Sequence, residues 1–358
     1  MFDPLQLRTL PLASRTSLLS VDDILIAPES PTPPHDAAAV ARAATAIRAA
    51  RERGAASILM YGAHLIRNGA ALIITRLMER GWVTHLATNG AGSIHDWEFA
   101  WLGRSCEGVE ANVADGTFGA WEETGRNLHL ALLAGGVAGE GYGKSVGRFI
   151  AEDGCTFTSP EHLRERLRHA DQHAPACAEA LCAMLQHGIA SGKTSVEHRW
   201  KHASLLAQAH RLGVPATIHP GIGYDIVSCH PMFNGAAIGR AAGRDYHTFC
   251  ESVDRLDGGV VLAVGSAIMA PQVFEKSLAC VHNLRAQDGR PQVAGHSIFV
   301  VDLQDGGGWD WTHGDPPKSS AAYYLRFCKS FSRMGGAMHY VQNDNAAFVH
   351  ALLHSLEG

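Results

Sequence analysis

Short apolar runs alternate with helically spaced ones along most of the chain. Ala56-Ser-Ile-Leu-Met-Tyr61 is apolar nearly throughout and too short for a helix, which predicts a buried strand. Trp82–Thr88, Pro215–Ile218, Val260–Val264 and Ser297–Val301 repeat that pattern. Between them lie helical spacings: Ala37–Arg53, stopped by Gly54, and the amphipathic stretch Gly69–Arg80. Strands that are apolar on both faces and alternate with helices form parallel sheets covered on both sides. The fold class this predicts is α/β: a Rossmann-like, doubly wound, largely parallel sheet with helices on both faces. Thr158–His210 reads as helical and rich in Ala, Leu and His. Residues 1–36 read as an irregular arm ending in Pro28-Glu-Ser-Pro-Thr-Pro-Pro34, and 37–358 as one domain.

Composition narrows the function. The 358 residues are 46% hydrophobic and 18% charged, enough for a large core and unlike a disordered chain. Thirty Lys and Arg against 35 Asp and Glu leave a net charge of −5, so no wide basic field awaits nucleic acid. No apolar run approaches the length of a bilayer span, and residues 1–15 lack a secretory pattern. A cytoplasmic location is expected. Eight cysteines without a CxxC read as small buried hydrophobes with free thiols.

In doubly wound sheets, ligands sit outside the C-terminal strand ends. Those ends carry Tyr61-Gly-Ala-His64, Thr88-Asn-Gly-Ala-Gly-Ser-Ile-His-Asp96, His219-Pro-Gly-Ile-Gly-Tyr-Asp225, Gly265-Ser-Ala267 and Asp302-Leu-Gln-Asp-Gly-Gly-Gly308. Gly62, Gly90, Gly92 and Gly265 would let a dinucleotide approach the backbone. One motif competes. Ala138-Gly-Glu-Gly-Tyr-Gly-Lys-Ser145 fits a loose phosphate-binding loop, and Ser297–Asp302 would pass for its Mg²⁺-holding strand. That loop needs a buried strand before it and a helix after Lys144, where Gly147 weakens helix propensity. His219, Asp225 and His230 lack paired metal-ligand spacing, and His169 with His173 is explained by a charged helix face, so no metal is expected.

Several stretches together resemble deoxyhypusine synthase and its homospermidine synthase relatives. Tyr61-Gly-Ala-His-Leu-Ile-Arg-Asn-Gly69 resembles the family's Thr-Ser-Asn-Leu-Ile-Ser-Ser-Gly turn. Val83–Gly92 is similar to its strand ending Thr-Thr-Ala-Gly-Gly before an acidic pair, and Gly139–Ile150 to a segment reading Asn-Arg-Ile-Gly-Asn before a strand. Leu206–Pro220 resembles the helix and strand leading to Pro-Ala-Leu-Thr-Asp-Gly, and Asn343–Leu353 echoes Ala-Asp-Ala-Ser-Leu-Val-Phe-Pro-Leu-Leu. The resemblance spans roughly residues 40–355. It implies a deoxyhypusine-synthase-like fold and a homotetramer with NAD at the subunit interface. It implies that Gly62, Ala63, His64, Asn89, Gly90 and Ala91 line the NAD site, with Asp225, Asp302 and Asp344 close to it.

The family's imine-forming lysine falls on Leu325 and its tryptophan on Tyr323, in Ser319-Ser-Ala-Ala-Tyr-Tyr-Leu-Arg326. Arg326 never deprotonates and cannot form an imine. Aminobutyl transfer to a protein lysine is therefore not expected. The expectation is an NAD-dependent enzyme that transiently oxidises a small amine or polyamine-like substrate. A catalytically silent NAD-binding protein and a P-loop ATPase are the alternatives. Candidate proton carriers and substrate ligands are His95, Asp96, Asp225, His230 and His313, with Trp309 and Trp311 covering an ammonium by cation–π contact. Asp96 or Ser93 capping a helix at Trp97–Leu102 is the structural alternative.

Overall fold

The apolar runs do form strands. The structure, a computed structural model, describes residues 3–169 and 172–358, so the first two residues of the arm lie outside the described residues. In chain order its main elements are α1 (Ala37–Glu52), β1 (Ser57–Tyr61), α2 (Ala63–Arg67), α3 (Ala71–Glu79), β2 (His85–Asn89), α4 (Gly90–Leu102), α5 (Glu122–Val137) and α6 (Tyr142–Ala151). There follow α7 (Ala174–His187), α8 (Leu205–Leu212), β3 (Ala216–His219), α9 (Gly235–Val253), β4 (Val260–Val264), α10 (Met269–Gln287), β5 (Ser297–Asp302), β6 (Ala337–Gln342) and α11 (Asn345–Glu357). The chain packs as two units: Met1–Ile24 with Ser93–Asp245, and Leu25–Gly92 with Tyr246–Gly358. Both later crossings fall inside helices, α4 and α9, so no linker composition marks them.

The unit built from residues 25–92 and 246–358 holds a parallel sheet in the order β6-β5-β4-β1-β2. Leu59 lies opposite Leu262 on one side and Leu86 on the other, and Leu262 lies opposite Phe299. Every residue of β1 and β4 is buried, the consequence of central strands covered by helices. Ile58, Met60, Val261, Phe274, Val300 and Phe331 share one core. The sequence pattern missed β6. It is an edge strand of alternating exposure, and His339 on it stacks against Phe299 at 5.0 Å between ring centroids. Helix α1 has the boundaries its spacing predicts: the Asp36 carboxylate accepts from Ala39 N at its start, and Gly54 follows at φ +65°. From β1 the chain builds β2 on one side. It later returns to build β4, β5 and β6 on the other, so strand order reverses between β1 and β4.

The other unit is mainly helical around Trp97, Leu128, Leu132, Tyr142, Phe149 and Ile218. The stretch read as helical, 158–210, contains α7, α8 and Pro160–Arg168, but also Gly192–Ser195, which pairs antiparallel with Gly154–Phe157. His169 and His173 flank the ends of two different helices rather than sharing one face. The arm is pinned: Leu19–Ser20 pairs with Arg104–Ser105, and Arg15 makes a buried bidentate ion pair with Glu98. No helix among the described residues is long and apolar enough to cross a membrane.

Candidate functional site

The C-terminal edge of the five-strand sheet collects the residues assigned to a cofactor. Gly62, Ala63 and His64 follow β1. Asn89 ends β2, and Gly90 and Ala91 open α4. Asp302 ends β5, and Asp344 stands between β6 and α11. The edge is tightly knit. Gly62 N donates to Val264 O at 3.2 Å, Gly265 N to Val301 O at 3.0 Å, and Thr88 Oγ1 to Tyr61 O at 2.9 Å.

Three strand-end glycines stand in close protein contacts. A Cβ on Gly62 would stand 2.1 Å from Gly265 O, and one on Gly92 would stand 2.1 Å from Thr88 Oγ1. Gly265 has φ +60°, and a Cβ there would meet Asn345 Nδ2 at 2.5 Å. These glycines let protein atoms approach each other closely. At Asn89-Gly-Ala-Gly92, α4 starts directly at Gly90, with Asn89 Oδ1 accepting from Gly92 N at 2.9 Å as its cap. Asp344 caps α11 by accepting from Ala347 N at 2.8 Å, and Asp302 accepts from Gln304 N at 3.2 Å. Asn345, the first residue of α11, was not anticipated. Its Oδ1 is buried without a hydrogen-bond partner.

Each residue assigned to catalysis is engaged in local contacts of its own. Asp96 is a correction. It lies inside α4 and is fully buried, accepting hydrogen bonds from Ser204 Oγ and, at 2.7 Å, from Leu205 N. It therefore caps α8 and not a helix of its own, and burial pushes its carboxyl up to about 7. A carboxylate so enclosed cannot pair with a substrate ammonium. His230 accepts from Met232 N at its Nδ1, so its Nε2–H donates to Glu122 at 3.3 Å, and burial lowers its pKa. Asp225 closes its own loop by accepting from Gly221 N at 2.7 Å, and burial raises its pKa. His313 is exposed beside Asp310 at 3.7 Å. Trp311 packs in the core and offers no free aromatic wall, while Trp309 is half-buried with its Nε1 donating to Gly314 O. His95 remains half-buried, with Nδ1 2.7 Å from Ser105 Oγ.

The phosphate-loop motif is also resolved. Helix α5, not a strand, precedes it, yet α6 does form after Gly141. The α6 N-terminus, where a phosphate would sit, already holds a carboxylate. Asp245 Oδ2 accepts from Gly143 N at 2.8 Å and from Ile218 N at 2.7 Å, and the Tyr142 amide also donates to this carboxylate. Cβ atoms on Gly143 and Gly147 would meet Ala216 O at 2.0 Å and Leu206 O at 2.4 Å, so these glycines seat α6 against β3 and α8. Lys144 points outward and pairs with Glu140 at 3.8 Å. Leu325, where the family's lysine would fall, is buried, and Lys329 Nζ lies 3.7 Å over the Tyr323 ring.

No family model matches the chain, and no curated protein does. Among solved structures, apo ArgZ, an arginine dihydrolase from the cyanobacterial ornithine–ammonia cycle, is 13% identical with a TM-score of 0.42, over 90% of this chain and 33% of its own. A conserved LOR/SDH protein from Methanococcus maripaludis S2 is 13% identical with a TM-score of 0.42, over 94% of this chain and 72% of its own. AgrE, in a ternary complex with ornithine and NAD⁺, is 15% identical with a TM-score of 0.42, over 89% and 32%. The chain spans about a third of the length of ArgZ and AgrE. None of these three is a deoxyhypusine synthase.

Proposed function

We propose that the unit of residues 25–92 and 246–358 binds NAD at the C-terminal edge of its sheet. We further propose that the protein is an NAD-dependent enzyme that transiently oxidises a small, polyamine-like amine. The observation that carries this reading is the reversal of strand order between β1 and β4, the position where doubly wound sheets take dinucleotides. The residues there suit the cofactor. Helices α4, α10 and α11 begin at this edge, so their positive dipole ends favour an anion there, although the Gly92 and Ala347 amides are already held by Asn89 and Asp344. Asn345 Oδ1 is a buried acceptor without a protein partner, suited to an amide or hydroxyl donor. Asp302 ends the strand next to β4, where a carboxylate pairs with ribose hydroxyls and disfavours a 2′-phosphate.

When bound, NAD would supply a hydride acceptor for the carbon bearing the amine. His95 would take the accompanying proton. Transfer of the oxidised fragment to a protein lysine has no support at Leu325, so the hydride and proton would return to the oxidised carbon without that step. The resemblance to deoxyhypusine synthase also motivates a homotetramer. A monomer at micromolar concentration in light scattering would contradict a shared site.

Thermal melting with NAD, NADP, ATP–Mg²⁺ and spermidine tests the reading. NAD at a hundredfold excess over its Kd should stabilise the fold by about 2.7 kcal/mol. Stabilisation by ATP–Mg²⁺ alone would overturn it. NAD binding without transient NADH absorbance in a single turnover with any amine would leave a silent NAD-binding protein.

A further inference from the structure

Glu98 is a charged residue in the apolar run Ile94–Leu102, and it is 1% exposed. Four donors fill its carboxylate: Arg15 Nη1 at 2.9 Å and Nη2 at 2.7 Å, Thr124 Oγ1 at 2.9 Å, and Ser105 Oγ at 2.5 Å. A carboxylate offers only acceptors, so the Ser105 proton is committed to Glu98. Ser105 Oγ therefore turns a lone pair toward His95 Nδ1, 2.7 Å away. Were Nδ1 unprotonated, two acceptors would face each other across that distance with no proton between them. The adjoining residue, Cys106, is buried and held at φ +69°, a conformation unfavourable for any side chain. Cys106 Sγ itself lies 3.8 Å from His95 Nδ1.

We propose that Ser105 and Glu98, anchored by Arg15, are positioning residues that hold His95 as the tautomer with its proton on Nδ1. Nε2 is then the basic nitrogen of the ring. The consequence for turnover rests on the reading of His95 as proton acceptor. The tautomer itself does not. A network serving only to tether the arm would need Arg15, Glu98 and Thr124, and would leave the imidazole free to take either form.

The test is long-range ¹H–¹⁵N NMR of the full chain labelled with ¹⁵N-histidine, with His95 identified by the signals lost in His95→Gln. A protonated Nδ1 and an unprotonated Nε2 in the neutral ring are expected. Ser105→Ala should release this pattern, and Ser105→Thr, which keeps the hydroxyl, should retain it. A protonated Nε2 in the unaltered protein overturns the proposal without recourse to any variant, as does an unchanged pattern in Ser105→Ala. NADH formation from spermidine separates the two readings. Wild-type rates in His95→Gln would end the catalytic reading, while the tautomer assignment would stand on the spectra.

Discussion

Replacing Asp245 with asparagine should remove the pH dependence of one part of the protein's stability and so reverse the order of the two chains between acid and alkaline pH. Burial raises this carboxyl from 3.8 to about 7, against the lowering effect of the Ile218, Gly143 and Tyr142 amides. Below pH 3.8 the folded and unfolded chains are both protonated there, and the group contributes nothing. Between about 4 and 7 the unfolded chain loses a proton that the folded chain keeps, so stability falls by about 1.4 kcal/mol per pH unit. Above 7 the loss levels off at about 4 kcal/mol. An asparagine cannot ionise. Its Oδ1 can keep the Gly143 and Ile218 amides, while its NH₂ leaves the Tyr142 amide without an acceptor, at a cost of about 1–2 kcal/mol. Asp245→Asn should therefore be the less stable chain at pH 4 and the more stable by roughly 2 kcal/mol at pH 8. Urea unfolding of both chains at half-unit steps from pH 4 to 8 measures this, and other titrating groups cancel in the difference. A difference that does not change with pH would refute the argument.

Gly62→Ala puts a methyl group against a backbone oxygen that cannot yield without moving β4. It should cost about 1–3 kcal/mol in melting and remove the NAD-induced shift; an unchanged melt would refute the close approach. Lys144→Ala should leave stability within ~0.5 kcal/mol and NAD binding within a few fold, because the side chain is exposed and its ion pair weak. A hundredfold loss of nucleotide affinity, about 2.7 kcal/mol, would restore the phosphate-loop reading. At pH 4–5, where Asp96 is protonated, Asp96→Ala should destabilise by about 1–2 kcal/mol through loss of its bonds to the α8 start, with NADH formation per folded molecule unchanged. His95→Gln should do the reverse, lowering NADH formation by roughly 10²–10⁴-fold while the NAD-induced shift persists.

The chain's local pattern is enough to place β1, β2, β4 and β5, because a strand buried on both faces has no choice but a continuous apolar run. It also marks the ends of α1 through Asp36 and Gly54, since capping is a short-range affair. The edge strand β6 escapes it, because half-exposed positions carry histidine and glutamine as readily as valine. From the order of the strand-end segments, the C-terminal sheet edge is legible as a place, though the close contacts its glycines permit are not.

What the fold alone decides is which atom stands across each contact. Ala138–Ser145 reads the same whether its glycines face phosphate or protein. The answer lies in Asp245, 102 residues away, and in Ala216 O. Asp96 follows a strand end, as a crevice residue would, yet its partner Ser204 is 108 residues on. Asn345 looks like one more helix-opening residue until its carbonyl oxygen is found buried and unpaired. Periodicity records how much surface a segment must bury. The partner that buries it comes from distant chain, and only tertiary packing brings that partner into place.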